Sequence, residues 1–175
     1  MAKLVRDRIP EIIQKKEGKY PKITIASPEE YSPRLRDKLQ EEIDESSFKI
    51  RDIVIMASIL EGEALPDDRG IVAGILWKRL EIGMPLQVDS TFKYINGKNT
   101  YELTLDDLKI DSLYNTYKYK GLPPGPISNP GLEAIVSALN PVKTKYLYFL
   151  TERDGTIHYA KTFEEHKRNR ELYLR

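Results

Sequence analysis

The stretch Ile53-Val-Ile-Met-Ala-Ser-Ile-Leu-Glu61 decides how this chain folds. Eight uncharged residues, seven of them apolar, precede the carboxylate. Together with its flanks, the stretch predicts a helix over 50–63 with apolar residues almost all round, which is typical of a helix buried on most sides. The apolar run is far shorter than the roughly 20 residues that a membrane-spanning helix needs. A core helix that ends near Glu61 is therefore the starting point for fold and chemistry.

Shorter elements are predicted on both sides of this helix. Apolar spacing predicts a second helix over 69–82, ended by Gly83, and the loose alternation of 84–94 predicts a short strand. An Asp-Gly pair at 154–155 predicts a hairpin, because it tolerates the positive φ of a tight turn. The other predicted elements are helical segments before residue 48, a helix over 132–139, hairpin strands over 146–150 and 156–159, and a closing helix over 162–174. This order of helices and short strands indicates the α+β class.

Composition argues against several classes of function. The 28 basic and 27 acidic residues give a net charge of +1, so nothing indicates binding to nucleic acid or to an anionic membrane surface. The chain has no cysteine, which excludes disulfides and thiolate chemistry. His158 and His166 are the two histidines, and no carboxylate geometry accompanies them, so neither a metal nor a cofactor is predicted. The charged N-terminus lacks an apolar segment, so we expect no signal peptide and a soluble chain.

Two interpretations of Glu61 follow from the residues alone. Burial disfavours the charged form of a carboxyl group, and a carboxyl that holds a proton is what general acid catalysis requires. Ser58 lies one turn earlier on the same helix face, so a hydroxyl could sit beside this carboxyl. The alternative, which composition favours, is a structural ion pair between Glu61 and an arginine such as Arg69 or Arg79.

A second set of residues has the character of a sugar-binding cleft. Residues 114–130 form a long loop with no regular element, and loops of that length are usually functional or disordered. Planar polar groups and aromatic rings bind sugars, although the same residue types also cap turns. The candidate substrate-binding residues are Gln87, Asp89, Tyr114, Asn115, Thr116, Tyr117 and Asn129.

Ordered motifs run through residues 48–175. They begin with Ala57-Ser-Ile-Leu-Glu61-Gly-Glu63 and continue with Lys78-Arg-Leu80, Ile82-Gly-Met-Pro-Leu-Gln87, Tyr114-Asn-Thr-Tyr117, Gly121-Leu-Pro-Pro-Gly-Pro-Ile127, Asn129-Pro-Gly131 and Tyr146-Leu-Tyr-Phe149. In this order they resemble the MltG (YceG-like) family of endolytic peptidoglycan transglycosylases, whose signature is Ala-Ser-Ile-(Ile/Val)-Glu-x-Glu. One departure is Gln87-Val-Asp-Ser-Thr91, where that family usually has Gln-Thr-Asp-Pro-Thr.

The resemblance implies a non-hydrolytic cut of the β-1,4 bond between N-acetylmuramic acid (MurNAc) and N-acetylglucosamine (GlcNAc) in peptidoglycan glycan strands. Glu61 would protonate the leaving oxygen and then take the proton of the MurNAc C6 hydroxyl, which closes a 1,6-anhydro ring. One carboxylate suffices for this scheme, whereas most glycoside hydrolases use a pair. Glu63 projects away from Glu61 and is assigned a structural or supporting role. The implied location is the cell envelope, at the outer face of the cytoplasmic membrane.

Residues 1–47 are similar to a different family. The sequences Lys3-Leu-Val-Arg-Asp-Arg-Ile-Pro-Glu-Ile-Ile13 and Lys38-Leu-Gln-Glu-Glu-Ile-Asp-Glu45 resemble the start of a MazG-like (phosphoribosyl-ATP pyrophosphohydrolase-like) nucleotide pyrophosphohydrolase. Its magnesium motif E-E-x-x-E is matched, but the E-x-x-D partner is absent. The matching glutamates are therefore interpreted as solvated helix charge; they are Glu41, Glu42 and Glu45.

The sequence thus predicts a chimera with a boundary near residue 48. A MazG-like helical fragment occupies 1–47, and a YceG-like catalytic core of helices and short strands occupies 48–175. Two alternatives to a transglycosylase stay open: a non-catalytic glycan-binding remnant, and a nucleotide pyrophosphohydrolase.

Overall fold

The computed structural model describes residues 48–174 together with Asp37, Gln40, Glu41 and Asp44. The chain divides into two compact units, residues 1–41 and 42–175. In the first unit, the described residues are helical and exposed. The rest of the helical segments predicted before residue 48, with Glu42 and Glu45 of the magnesium motif, lies outside the described residues.

Helix α1, Ile50–Glu63, forms the centre of the second unit. Its middle is buried, as the apolar pattern predicts, and the buried residues are Ile53, Ile55, Met56, Ala57, Ser58, Ile59 and Leu60. Helix α2, Arg69–Glu81, packs against α1 and ends before Gly83, whose φ of 69° only glycine adopts readily. Both helices are confirmed. None of the described helices is long and apolar enough to cross a membrane.

The strand predicted within residues 84–94 is wrong. Leu86 and Val88 are buried around an exposed Gln87, which is a strand-like alternation. However, Gln87 has a φ of 49°, and its N–H donates to the Thr116 carbonyl in a loop. The backbone at Gln87 is therefore not extended, and neither of the strands that the structure describes pairs with this stretch. Helix α3, Ser90–Asn96, follows at once and buries Thr91 and Phe92.

The C-terminal part confirms the predicted helices and hairpin. Helix α4, Leu132–Leu139, packs on α1 and α2. Strands β1, Tyr148–Thr151, and β2, Ile157–Ala160, pair antiparallel through a turn in which Gly155 has a φ of 93°. Helix α5, Phe163–Tyr173, begins with a capping box between Thr162 and Glu165. The described part of the chain is α+β, as predicted.

A long segment with two short 3-10 helices, Thr100–Glu102 and Asp107–Lys109, connects α3 to α4. Its first half is organised by Asp107, which is buried and accepts hydrogen bonds from Lys98 Nζ, Asn96 Nδ2, and both Thr104 N and Oγ1. Hydrogen bonds from the Lys98 ammonium and from Thr104 lower the pKa of Asp107 to about 2. A charged carboxylate with this many donors fixes the loop beside α3.

Candidate active site

An open groove of about 600 Å³ lies between α1 and α3. Each helix contributes residues at positions i, i+3 and i+4, which lie on one helical face. The α1 face consists of Ser58, Glu61 and Gly62, and the α3 face consists of Ser90, Lys93 and Tyr94. The remaining lining residues come from the connecting segment: Asn99, Thr100, Ile127 and Ser128.

The two helices approach closely at one end of the groove. A Cβ added to Gly62 would lie 2.9 Å from Ser90 Cβ, nearer than side-chain carbons normally come. Glycine at position 62 therefore sets the spacing of the groove walls, because a larger residue would push α1 and α3 apart.

The Glu61 carboxylate is held by one donor on each oxygen. Arg69 Nη2 donates to Oε1 at 2.9 Å, and the Gly131 N–H donates to Oε2 at 3.0 Å. Each oxygen keeps a further lone pair for a partner in the groove. The Glu61 side chain is 34% exposed, whereas that of Arg69 is 9% exposed. The arrangement can exchange a proton with a group bound in the groove while the carboxylate stays in place.

Arg69 is fixed by a second contact. Its Nε donates to the carbonyl of Ala64, the residue that ends α1, at 3.1 Å. A cation is favourable at the C-terminal end of a helix, where carbonyl groups point outward. The structural ion pair considered for Glu61 is thus present with Arg69. Arg79 instead donates to backbone carbonyls of Leu147 and Leu86.

Ser58 joins the connecting segment to α1. Its hydroxyl donates to Ile55 O at 2.7 Å and accepts from Ile127 N at 3.0 Å, and Ser128 Oγ donates to Ser58 O at 3.0 Å. The hydroxyl that the sequence suggested beside Glu61 therefore holds the segment that carries Gly131. In this way α1 positions both the Glu61 carboxylate and the loop that donates to it.

Comparison with known proteins assigns the chain to a family. The YceG-like family model matches residues 14–172. The chain belongs to the YceG-like family. The match begins ahead of residue 48, within the segment that resembles a MazG-like protein, and the origin of that segment stays a prediction.

Relatives of this YceG-like chain share much of its sequence. An endolytic murein transglycosylase from Bacillus subtilis is 42% identical over 134 residues, covering 76% of this chain and 37% of that protein. One from Streptococcus pneumoniae is 37% identical over 134 residues, covering 73% of this chain and 24% of that protein. A crystal structure of a YceG-like protein from Listeria monocytogenes has a TM-score of 0.71 and 37% identity, covering 86% of this chain and 52% of that one. The chain thus spans only part of these longer relatives.

Glu63, the second glutamate of the YceG-like signature, is not among the residues that line the groove. Its Oε1 accepts from Ser90 N at 2.8 Å, so it satisfies an orphan donor at the start of α3. Burial raises the pKa of the Glu63 carboxyl to about 7. The hydrogen bond needs an N–H at position 90, which the proline usual in the family pattern lacks.

Two of the predicted substrate-binding residues are buried. Asn115 donates to the carbonyls of Leu108 and Ile110 and accepts from Tyr117 N. Thr116 Oγ1 accepts from Val88 N at 3.1 Å. Their side chains form hydrogen bonds with the backbone of neighbouring loops, so they stabilise the segment next to the groove.

The other predicted residues are more accessible. Tyr117 OH donates to Asp89 Oδ1 at 2.5 Å, and burial raises the pKa of both groups. Gln87 and Asn129 are exposed, and the Tyr114 ring packs against that of Tyr94. None of the seven predicted residues is among those that line the groove. Among the described residues, no three His, Asp or Glu side chains cluster as a metal ion would require.

Most residues of the lining were not among the sequence candidates, and these include Lys93, Tyr94, Asn99 and Thr100. A helix assignment at 90–96 would have identified the first two, because it places Ser90, Lys93 and Tyr94 on one face. For Asn99 there was a local signal, since Asn three residues before Glu102 is a capping box.

Proposed function

We propose that the chain is the catalytic core of an endolytic lytic transglycosylase, which cleaves the MurNAc-GlcNAc β-1,4 bond of peptidoglycan strands and leaves 1,6-anhydro-MurNAc ends. The observation that carries the proposal is that Glu61 is the single carboxylate among the described residues lining the groove. A hydrolase would use two carboxyl groups across the scissile bond. The relatives named endolytic murein transglycosylase support the same reaction class.

The proposed reaction uses Glu61 twice. Its protonated carboxyl gives a proton to the glycosidic oxygen as the bond from MurNAc C1 to that oxygen breaks, which frees GlcNAc with a 4-hydroxyl. The resulting carboxylate accepts the proton of the MurNAc C6 hydroxyl as that oxygen bonds to C1. Glu61 is thereby returned to its protonated form, and no water is consumed.

The contacts of Glu61 suit this double role. Arg69 and Gly131 each donate to one oxygen of Glu61 and leave a further lone pair on each oxygen for the substrate. Because the two donors fix the side chain, it does not have to reorient between steps.

The residues predicted from the sequence have proposed roles beside this centre. The exposed Gln87 and Asn129 are proposed to contact the strand beyond the groove. Asp89, Asn115, Thr116 and Tyr117 are proposed to act by fixing the backbone next to α3, and Tyr114 by supporting Tyr94. The proposed place of action is the cell envelope, where the substrate lies.

The test is the chemistry of the new chain ends. The 175-residue chain is incubated with purified sacculi, and the products are analysed by mass spectrometry after digestion. We expect 1,6-anhydro-MurNAc ends, lighter by one water than reducing ends, and their loss in Glu61→Gln. Glu133→Gln, an exposed glutamate on α4, is the matched control and should keep full activity. Reducing ends would instead indicate a hydrolase and contradict the proposal.

The second candidate is a non-catalytic glycan-binding remnant. It needs only the open groove between α1 and α3 and no proton transfer by Glu61. Retention of the chain on sacculi without any new ends would support it. Magnesium-dependent release of phosphate from nucleoside triphosphates would point to the remaining alternative, a MazG-like pyrophosphohydrolase.

A further inference from the structure

The α3 face of the groove has no part in the proton transfers, yet it has a distinct chemistry. Lys93 and Tyr94 lie beside one another on it, across from Glu61. One offers a positive charge and the other an aromatic ring. What this pair would recognise follows from how each side chain is held.

Tyr94 is an exposed ring with a fixed backing. It is 53% exposed although it borders the groove, and its ring packs against Tyr114 with centroids 4.5 Å apart and planes tilted by 35°. The backbone N–H of Tyr114 donates to Ser112 Oγ, and its hydroxyl lies against Gly125, where a Cβ would be only 3.1 Å away. A ring held on one side and open on the other suits the apolar face of a pyranose.

Lys93 supplies charge that the groove does not neutralise. The Glu61 charge is compensated by Arg69 at 2.9 Å. Among the residues that the structure describes, Lys93 forms no ion pair with a carboxylate, and it is exposed at the groove. An anionic group of a bound molecule would therefore be attracted to Lys93.

We propose that Lys93 and Tyr94 form a subsite for a pyranose that carries a carboxylate, with Tyr94 packing on the ring and Lys93 pairing with the acid. This inference rests on the proposed function. Peptidoglycan strands alternate neutral GlcNAc with MurNAc, and a carboxylate is attached to MurNAc alone, either as its free lactyl group or on a stem peptide. The subsite thus selects MurNAc.

Selection of MurNAc sets the register of cleavage. If the glycan strand shifted by one sugar, Glu61 would meet the linkage whose C1 belongs to GlcNAc. That is the other of the two alternating β-1,4 linkages. Such a strand would also place a neutral sugar on Lys93 and leave its charge without a partner. The α3 face therefore determines which of the two alternating linkages meets the acid.

The experiment measures binding of soluble glycan strands to the full chain in three forms. Peptide-free strands carry lactyl carboxylates, peptide-bearing strands carry stem-peptide carboxylates, and peptide-free strands amidated with methylamine carry none. The variants are Lys93→Gln, Tyr94→Ala and Tyr94→Phe, with Lys145→Gln as an exposed control cation outside the groove lining. Thermal unfolding of each variant verifies that it folds.

We expect Lys93→Gln to weaken binding of carboxylate-bearing strands by about two- to fivefold, the range of a partly exposed ion pair, and to leave amidated strands unaffected. Tyr94→Ala should weaken all forms about fivefold or more, whereas Tyr94→Phe should bind as the wild type does. Weaker binding of the peptide-free strands to Lys93→Gln would identify the lactyl carboxylate as the partner of Lys93. Weaker binding of the peptide-bearing strands alone would identify a stem-peptide carboxylate.

Other outcomes separate this inference from the proposed function. Equal affinities of Lys93→Gln and wild type for every form, or an equal loss for amidated strands, would overturn the subsite even if anhydro ends are produced. Binding that depends on Lys93 and on the carboxylate, without any cleavage, would sustain the subsite and refute the transglycosylase. A wild-type chain that binds none of the three forms would overturn the subsite as well.

Discussion

Arg69 Nη2 lies 2.9 Å from Glu61 Oε1, and the same guanidinium reaches the Ala64 carbonyl through Nε. The pair spans the turn between α1 and α2, so the orientation of Glu61 depends on how these helices meet. An arginine is suited to this task because its planar fork can bond two acceptors at once. The ion pair and the catalytic role, which were alternatives for the sequence, are therefore compatible in the structure.

Replacement of Arg69 by methionine should reduce cleavage by about tenfold or more, because small displacements of a reacting group are costly. Initial rates measured against the wild type give the loss. Arg69→Lys keeps the charge but lacks the planar fork that bonds both acceptors, so it should retain only part of the rate. A rate of Arg69→Met equal to that of the wild type would show that Arg69 does not position Glu61.

Loss of the Ser58 hydroxyl should loosen the segment that carries Gly131. Ser58→Ala leaves the half-buried Ile127 N–H without its acceptor, which costs about 1 kcal/mol. Thermal unfolding and hydrogen exchange of the Ile127 amide measure the effect. Ser137→Ala, at a half-buried position on α4, is the matched control and should change neither. Unaltered exchange in Ser58→Ala would contradict the anchoring role.

Two glycines on α2 should respond very differently to alanine. A Cβ at Gly74 would lie 1.9 Å from the Val142 carbonyl oxygen, so backbone must move, and we expect a loss of about 3 kcal/mol or more. A Cβ at Gly70 would lie 3.1 Å from a Val142 methyl group, which can shift. Gly70→Ala should be near neutral, because alanine also favours the helix. Denaturant unfolding of both variants measures their free energies of unfolding. Equal losses of stability in the two variants would contradict the contacts described for Gly74 and Gly70.

The helices were predictable because their signal is local. Residues 50–63 and 132–139 carry apolar residues at helical spacing, and both helices have the predicted bounds. The strand prediction for 84–94 failed because alternation at Leu86 and Val88 indicated a strand, whereas neither of the strands in the described part of the chain pairs with it. That error hid Lys93 and Tyr94, which share a face with Ser90 only in a helix.

The site itself was only partly predictable. The sequence offered Arg69 and Arg79 as possible ion-pair partners of Glu61, and the structure has the pair with Arg69. The Gly131 donor was not predictable, because 70 residues separate it from Glu61 and only the anchoring of the loop on Ser58 brings them together. Asn115 and Thr116 look like ligand-binding residues in a sequence, yet a buried polar side chain and an exposed one cannot be told apart without the fold.

Glu63 should make the stability of the chain depend on pH. Its folded pKa of about 7 exceeds the ordinary value of 4.5, so the folded state binds the extra proton between these values. Stability from this group is therefore fully present below pH 4.5 and is lost as pH rises through about 7. The loss is on the order of 3 kcal/mol, since each pKa unit corresponds to about 1.4 kcal/mol.

The variant Glu63→Gln tests the predicted pH dependence of stability, because glutamine stays neutral and keeps an oxygen that can accept the hydrogen bond from Ser90 N. The variant should match the wild type at pH 5 and unfold roughly 5–10 °C higher at pH 8. His166 acts in the opposite sense: burial lowers its pKa, so its contribution is lost as pH falls below about 6.5. Because both proteins contain His166, its contribution cancels when their melting temperatures are subtracted. A difference in melting temperature that stays constant from pH 5 to 8 would show that Glu63 is ionised throughout.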